Sequence, residues 1–227
     1  MATKPISTFV VTIDMVESPF TITFIHINIY MIYTTSTSIP NMWAFIHIPK
    51  TSGSNFQERS LVYPNIINAH KELPKYWRHN LLQWWLDEGI LNSNYLIFTF
   101  VRNPYSRIVS LYNHMLTSGN NPNLPPFKEF IMNDVVDNIV PNNWTMNYNF
   151  GSPQYKWIEH DQPMTVKYFK MESDLHLVEL LIGYKFADTR INAKKHKHFE
   201  EYYDKESKKK VQEKYEEDFI RFKYAIF

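Results

Sequence analysis

The stretch Trp43-Ala44-Phe45-Ile46-His47-Ile48-Pro49-Lys50-Thr51-Ser52-Gly53-Ser54-Asn55 decides the fold. Trp43 to Ile48 is a short apolar run of the kind carried by a strand buried on both faces. Pro49 to Ser54 is a polar turn, and a helix is expected from Asn55 to about Leu61. Free N–H groups at a helix start make an anion site, and the helix dipole favours negative charge there. Gly53 lets the backbone approach an anion closely. Thr51, Ser52 and Ser54 add hydroxyl donors, and Lys50 adds a point charge that can reach a bridging or leaving oxygen. The ordinary ATP loop carries its Lys after the last Gly, as G-x-x-x-x-G-K-[ST]. Here Lys50 precedes Gly53, so the turn suits a phosphate-type anion without that spacing. The bland reading is a polar turn between a strand and a helix.

A second segment repeats the design: Phe98-Thr99-Phe100-Val101-Arg102-Asn103-Pro104-Tyr105-Ser106-Arg107-Ile108-Val109-Ser110. A strand is expected over Tyr95 to Val101. Asn103 then offers an N-cap, and Pro104 sits at the first helical position. Arg102, at the strand end, suits a bidentate contact to phosphate. Ser110 lies just over two helical turns further on, on the side of Asn103 and Arg107, and can donate to the same group. Arg107 is read first as the structural partner of an acid on a neighbouring helix. A pair of such turns can hold the two ends of a doubly anionic nucleotide, which points to group transfer from a nucleotide donor.

The rest of the chain supplies the frame. Its 227 residues suit a domain of ordinary size with a full core. A net charge of +1 provides no global field for nucleic acid. There is no cysteine, so disulfides and thiolate metal sites are excluded, which favours a reducing compartment or a secreted fold that never needed bridges. With 15 Tyr, 16 Phe and 6 Trp, the core is expected to be aromatic. Helices are expected over Pro74 to Glu88, with Gly89 just past the end, over Phe127 to Val136, over Ser173 to Ile182, and over Lys205 to Tyr224. In the last, Val211, Tyr215, Phe219 and Phe222 share one face. Asn65 to His70 suits a short strand or loop, and Thr165 to Lys170 a third strand. Strands alternating with helices argue for a three-layer α/β/α domain with a central parallel sheet. Residues 1–41 read as an appendage upstream of a start at Met42, and residues 42–227 as the domain. Phe20 to Tyr33 is too short and too polar to span a membrane, which takes about 20 apolar residues.

Taken together, the two segments are recognisable. His47-Ile48-Pro49-Lys50-Thr51-Ser52-Gly53-Ser54 resembles the 5′-phosphosulfate loop of sulfotransferases in the form of the carbohydrate branch, H-I-P-K-T-G-G-T. Arg102 to Ser110 resembles the family's 3′-phosphate motif, R-N-P-x-x-R-x-x-S. Weaker echoes are Pro153-Gln154, the strand end with Glu172 and Asp174, and the closing helix with Phe222 and Tyr224. The resemblance implies a sheet fold related to nucleotide kinases and the donor 3′-phosphoadenosine 5′-phosphosulfate (PAPS), with no metal. It implies that Lys50, Thr51, Ser52, Gly53, Ser54 and Asn55 hold the 5′-phosphosulfate and that Arg102 and Ser110 hold the 3′-phosphate. Ser52 stands where Gly is usual and Ser54 where Thr is usual. Ser54 keeps a hydroxyl, whereas Ser52 puts a Cβ on a turn that needs positive φ.

Sulfuryl transfer should follow phosphoryl transfer, with in-line attack through a loose transition state. Lys50 would stabilise the leaving oxygen. A base must take the acceptor's proton; His70, between the two motifs, is the first candidate and Glu58 the rival. Asn192 and Lys194 lie where relatives close over the donor. Lys194, Lys195, Lys197 and Lys208 to Lys210 read as a charged surface, and His196 and His198 as solvated. The expected acceptor is a glycan hydroxyl or amine, in a pocket shaped by residues 71–95 and 117–165. The competing readings are an ATP-dependent phosphotransferase and a non-catalytic nucleotide- or glycan-binding protein. No cysteine, one Asn143-Trp144-Thr145 sequon and no convincing anchor favour the cytoplasm over the Golgi or a membrane.

Overall fold

The computed structural model describes residues 32–34, 42–53, 56, 66–68, 79–93, 95–117, 123–138, 149–182 and 197–227. Its centre is a three-stranded parallel sheet in the order β2–β4–β5, where β2 is Met42–Ile46, β4 is Tyr95–Val101 and β5 is Val166–Lys170. The strand expectations hold to within a residue or two. The middle strand, β4, buries Ile97, Phe98, Thr99, Phe100 and Val101 in succession. A continuous buried run, rather than alternation, is what a parallel strand covered on both faces requires. Phe98 meets the rings of Phe45, Phe56, Phe100 and Phe169, so the expected aromatic core is this sheet's packing. Inside the stretch read as an appendage, β1 (Ile32–Thr34) pairs antiparallel with β3 (Ile66–Asn68).

Register fixes where the site lies. Ile46 pairs with Thr99, and Val101 with Lys170. The Thr99 hydroxyl, buried between strands, donates to the Ile46 carbonyl at 2.7 Å. All three strands therefore release their chains at one edge, the carboxyl edge, where parallel sheets bind ligands.

The helices flank the sheet. Helix α1 is Leu82–Asp87, α2 Pro104–Thr117, α3 Phe127–Met132, α4 Tyr155–Ile158, α5 Leu175–Ile182, α6 Lys205–Lys214 and α7 Glu216–Arg221. Trp85 and Leu82 of α1 and Val178 of α5 join the sheet's core. A second cluster gathers Tyr105, Ile108, Val109, Leu111 and Tyr112 of α2 with α3 and the C-terminal helices.

Three helices differ from expectation by more than two residues. The helix foreseen over Pro74 to Glu88 starts at Leu82, because Leu81 is extended (ψ 150°), while residues 71–78 lie outside the described residues. It ends as expected, at Gly89 with φ +67°. The helix foreseen over Phe127 to Val136 stops at Met132, and Val135–Asn138 forms a 3-10 turn beyond Asp134, whose φ is +53°. The helix foreseen over Lys205 to Tyr224 breaks at Tyr215. Tyr215 is fully buried and its hydroxyl donates to the Gly151 carbonyl at 2.6 Å, which draws the backbone out of helical geometry (φ −112°, ψ 23°). Of the lysine run, Lys210 pairs with Asp134, Lys209 with Glu213, and Lys208 lies over the Phe227 ring. These are structural contacts of a charged surface, as read. His198 is exposed, again as read, and Lys194, Lys195 and His196 lie outside the described residues.

Removing the ring at the crossing of these aromatic contacts tests the packing. Phe98→Ala should cost about 3–5 kcal/mol of unfolding free energy in a urea titration, and Phe98→Leu much less.

Candidate active site

The first loop leaves β2 at Ile46, and side chains capture five successive carbonyls of the chain from there. The Ile46 carbonyl accepts from Thr99 Oγ1 (2.7 Å), that of His47 from His79 Nδ1 (2.9 Å), and that of Ile48 from Thr51 Oγ1 (2.8 Å). The Pro49 carbonyl accepts from Arg107 Nε (3.1 Å), and that of Lys50 from Arg102 Nη1 (3.3 Å). A trans peptide points its N–H opposite to its C=O. Holding the Pro49 and Lys50 carbonyls toward the protein thus turns the N–H groups of Lys50 and Thr51 to the other side of the loop. Successive N–H groups facing one way make an anion-binding concavity.

The backbone adopts unusual angles to do this. Lys50 has φ +68° and Ser52 φ +69°, the left-handed region that favours glycine. The positive φ expected at Ser52 is observed. The strain is offset by the captured carbonyls and by the Phe56 N–H, which donates to the Ser52 carbonyl at 3.0 Å and begins the following helix. That helix begins at Gly53, two residues earlier than expected. Glycine is needed at 53 for space: a Cβ there would lie 2.0 Å from His47 Cδ2.

The second loop meets the first directly. Asn103 Oδ1 caps α2, accepting from the N–H groups of Tyr105 (3.0 Å) and Ser106 (3.3 Å). Arg102 Nε donates to Ser106 Oγ at 2.9 Å while its Nη1 reaches the Lys50 carbonyl. Burial pulls the Arg102 guanidinium below its ordinary pKa, and Glu172 and Tyr224 push it back up. Arg107 is fully buried and, among the described residues, does not form the ion pair expected of it; its hydrogen bonds go from Nε to the Pro49 carbonyl and from Nη2 to the Phe150 carbonyl at 2.7 Å. Burial lowers its pKa as well, opposed by Tyr215 and Asp218. Ser110 lies on the same helix, half-buried.

The third strand completes the edge. Ser52 Oγ donates to Met171 Sδ at 3.6 Å, and Glu172 Oε1 accepts from the Asn103 N–H at 2.9 Å. Of the residues expected to act, the structure brings together Lys50, Thr51, Ser52, Gly53 and Arg102, with Ser110 two turns into the helix that follows Arg102. Ser54, Asn55, Glu58, His70, Asn192 and Lys194 lie outside the described residues. His79 was not foreseen. Its ring packs on His47 (4.2 Å between centroids) and against Phe150 (5.1 Å), and because the His47 carbonyl can only accept, Nδ1 carries the proton and Nε2 is the basic nitrogen. A lone histidine between Arg78 and Asn80 has no sequence signal.

Residues 40–179, more than half of the chain, match the sulfotransferase family. The chain belongs to that family. No curated protein and no solved structure matches it. The two loops of this sulfotransferase both fall within the matched region, and the parallel sheet with flanking helices is the fold the family implies. Among the described residues, no group of His, Asp and Glu could hold a metal ion, and no helix is long and apolar enough to cross a membrane.

The loop geometry makes two substitutions informative. Ser52→Gly relieves a left-handed residue and should raise stability by about 1 kcal/mol in a denaturant titration. Gly53→Ala drives a methyl into the His47 ring and should lower the thermal midpoint by several degrees, about 1–3 kcal/mol of overpacking.

Proposed function

We propose that this sulfotransferase takes its sulfuryl group from PAPS and delivers it to a hydroxyl or amine acceptor, a carbohydrate being the expected class. The observation that carries the reading is the joint between the two loops. The guanidinium expected to meet the 3′-phosphate, Arg102, also holds the Lys50 carbonyl, so the cation for one end of the donor sets the backbone that receives the other end. A nucleotide with phosphate at one end and phosphosulfate at the other uses both loops. ATP has no 3′-phosphate for Arg102 and Ser110.

In this reading Lys50, Thr51, Ser52, Gly53, Ser54 and Asn55 bind the 5′-phosphosulfate. The N–H groups of Lys50 and Thr51 and the Lys50 ammonium face the charge that develops on the leaving oxygen. His70 takes the proton of the acceptor hydroxyl as that oxygen bonds to sulfur. The sulfur–oxygen bond to the 5′-phosphate breaks, and 3′-phosphoadenosine 5′-phosphate (PAP) leaves with the electron pair. His79 is the second candidate base, favoured by the fixed tautomer that leaves its Nε2 basic. A chain without cysteine suits a reducing compartment, and the cytoplasm is the proposed location.

Transfer of labelled sulfate from PAPS to a saccharide panel tests the assignment. Wild type should transfer label; Lys50→Ala should lose about 100-fold or more, and removing the base about 10²–10⁴-fold. Full activity in His70→Ala moves the base to His79, to be read from His79→Ala. Label transfer only from ATP's γ-phosphate overturns the proposal.

A further inference from the structure

The family match ends at residue 179, yet the turn that carries Arg102 is held from beyond it. Every backbone polar group at the Arg102–Asn103 junction has a partner. The Arg102 N–H donates to Gln154 Oε1 (2.8 Å), and Gln154 Nε2 donates to the Arg102 carbonyl (2.8 Å). One side-chain amide thus pairs with both sides of a single residue. The Asn103 N–H donates to Glu172, and the Asn103 carbonyl accepts from the Arg107 N–H at 2.8 Å.

Neither clamp stands alone. Gln154 is fully buried, and Asp218 of α7 holds it: Asp218 Oδ2 accepts from the Gln154 N–H (2.7 Å) and Nε2 (3.4 Å), and Oδ1 from the Tyr155 N–H (2.8 Å). Burial raises the Asp218 pKa, opposed by Arg107 and by these donors. Glu172 is held by Tyr224, whose hydroxyl donates to Oε2 at 2.9 Å. Lys170 fixes Tyr224 in turn, its ammonium 4.6 Å from the ring centroid and 2.8 Å from the Lys223 carbonyl. Both relays begin within one stretch, residues 218–224, and the break at Tyr215 is what separates that stretch from α6.

We propose that residues 218–224 are positioning elements for donor recognition, Asp218 acting through Gln154 and Tyr224 acting through Glu172 to hold the Arg102–Asn103 turn in the form that binds the donor's 3′-phosphate. The inference rests on the PAPS reading above. It assigns a role in binding to a segment outside the family match, and to residues that would not themselves touch the donor. A buried amide paired with one residue's N–H and C=O fixes that residue's main-chain direction, and so the direction of its side chain. Glu172 adds a charge beside Arg102, so its orientation also sets the field at the guanidinium.

Calorimetric titration of the full chain with PAP tests this, using Gln154→Met and Tyr224→Phe. Gln154→Met keeps the length of the side chain and removes the amide; it should weaken PAP by about 10-fold or more. Tyr224→Phe removes one partly exposed hydroxyl and keeps the ring; it should weaken PAP by about 3-fold or more while leaving the unfolding midpoint within a few degrees. In steady state the loss should appear in the donor KM and leave the acceptor KM unchanged, a split that general destabilisation does not produce. PAP affinity at the wild-type level in both folded variants overturns the inference and leaves the donor assignment standing. A wild-type chain that binds no PAP overturns the donor assignment and the inference with it. If Gln154→Met fails to fold, Tyr224→Phe decides alone.

Discussion

The structure depends on the capture of the first loop's carbonyls by side chains beneath it. The fully buried guanidinium of Arg107 makes one of these contacts, donating to Pro49 on the first loop and to Phe150 on another segment. A buried arginine is costly unless its donors are used; here main-chain carbonyls take Nε and Nη2, while Nη1 is buried with no partner among the described residues. Once the Pro49 and Lys50 carbonyls are taken from below, the neighbouring N–H groups have only the opposite side to face. The N–H-lined face proposed to bind the anion is therefore a consequence of where the carbonyls are held, and Lys50 and Ser52 accept left-handed angles as the local cost.

The same contact explains why the two motifs occur together. Arg102 and Arg107 both come from the second segment, and both bond the first. Register does the rest, because Ile46 lies beside Thr99 and Val101 beside Lys170, so the three strand ends open at one edge. Rigid strands deliver the residues, and side-chain hydrogen bonds set the loops within that frame. The C-terminal helices serve the second loop through Gln154 and Glu172 in the way that the arginines serve the first.

Much of this was legible in the sequence because the relevant signals are local. The apolar run Tyr95–Val101, the Asn103-Pro104 start and the small polar residues around Lys50 each act within a few positions. The need for positive φ at Ser52 could also be read, since a tight turn around Gly53 asks for it. What could not be read depends on distant partners. Arg107 suggested an ion pair, and its true acceptors, Pro49 and Phe150, are 58 and 43 residues away. Gln154 is separated by 52 residues from Arg102 and by 64 from Asp218. His79 meets His47 across 32 residues, and nothing in its own neighbourhood marks it. The break at Tyr215 follows from a hydroxyl bonded to Gly151, which a uniform helical pattern over Lys205 to Tyr224 does not contain.

In the proposed reading Arg102 binds a 3′-phosphate while the first loop holds the 5′ end. A thermodynamic cycle on binding tests it most directly: PAP and adenosine 5′-phosphate, each titrated into wild type and Arg102→Ala. Wild type should prefer PAP by about 100-fold or more, and most of this preference should disappear in Arg102→Ala while adenosine 5′-phosphate affinity changes far less. An undiminished preference for PAP in Arg102→Ala, or no preference in wild type, would contradict it.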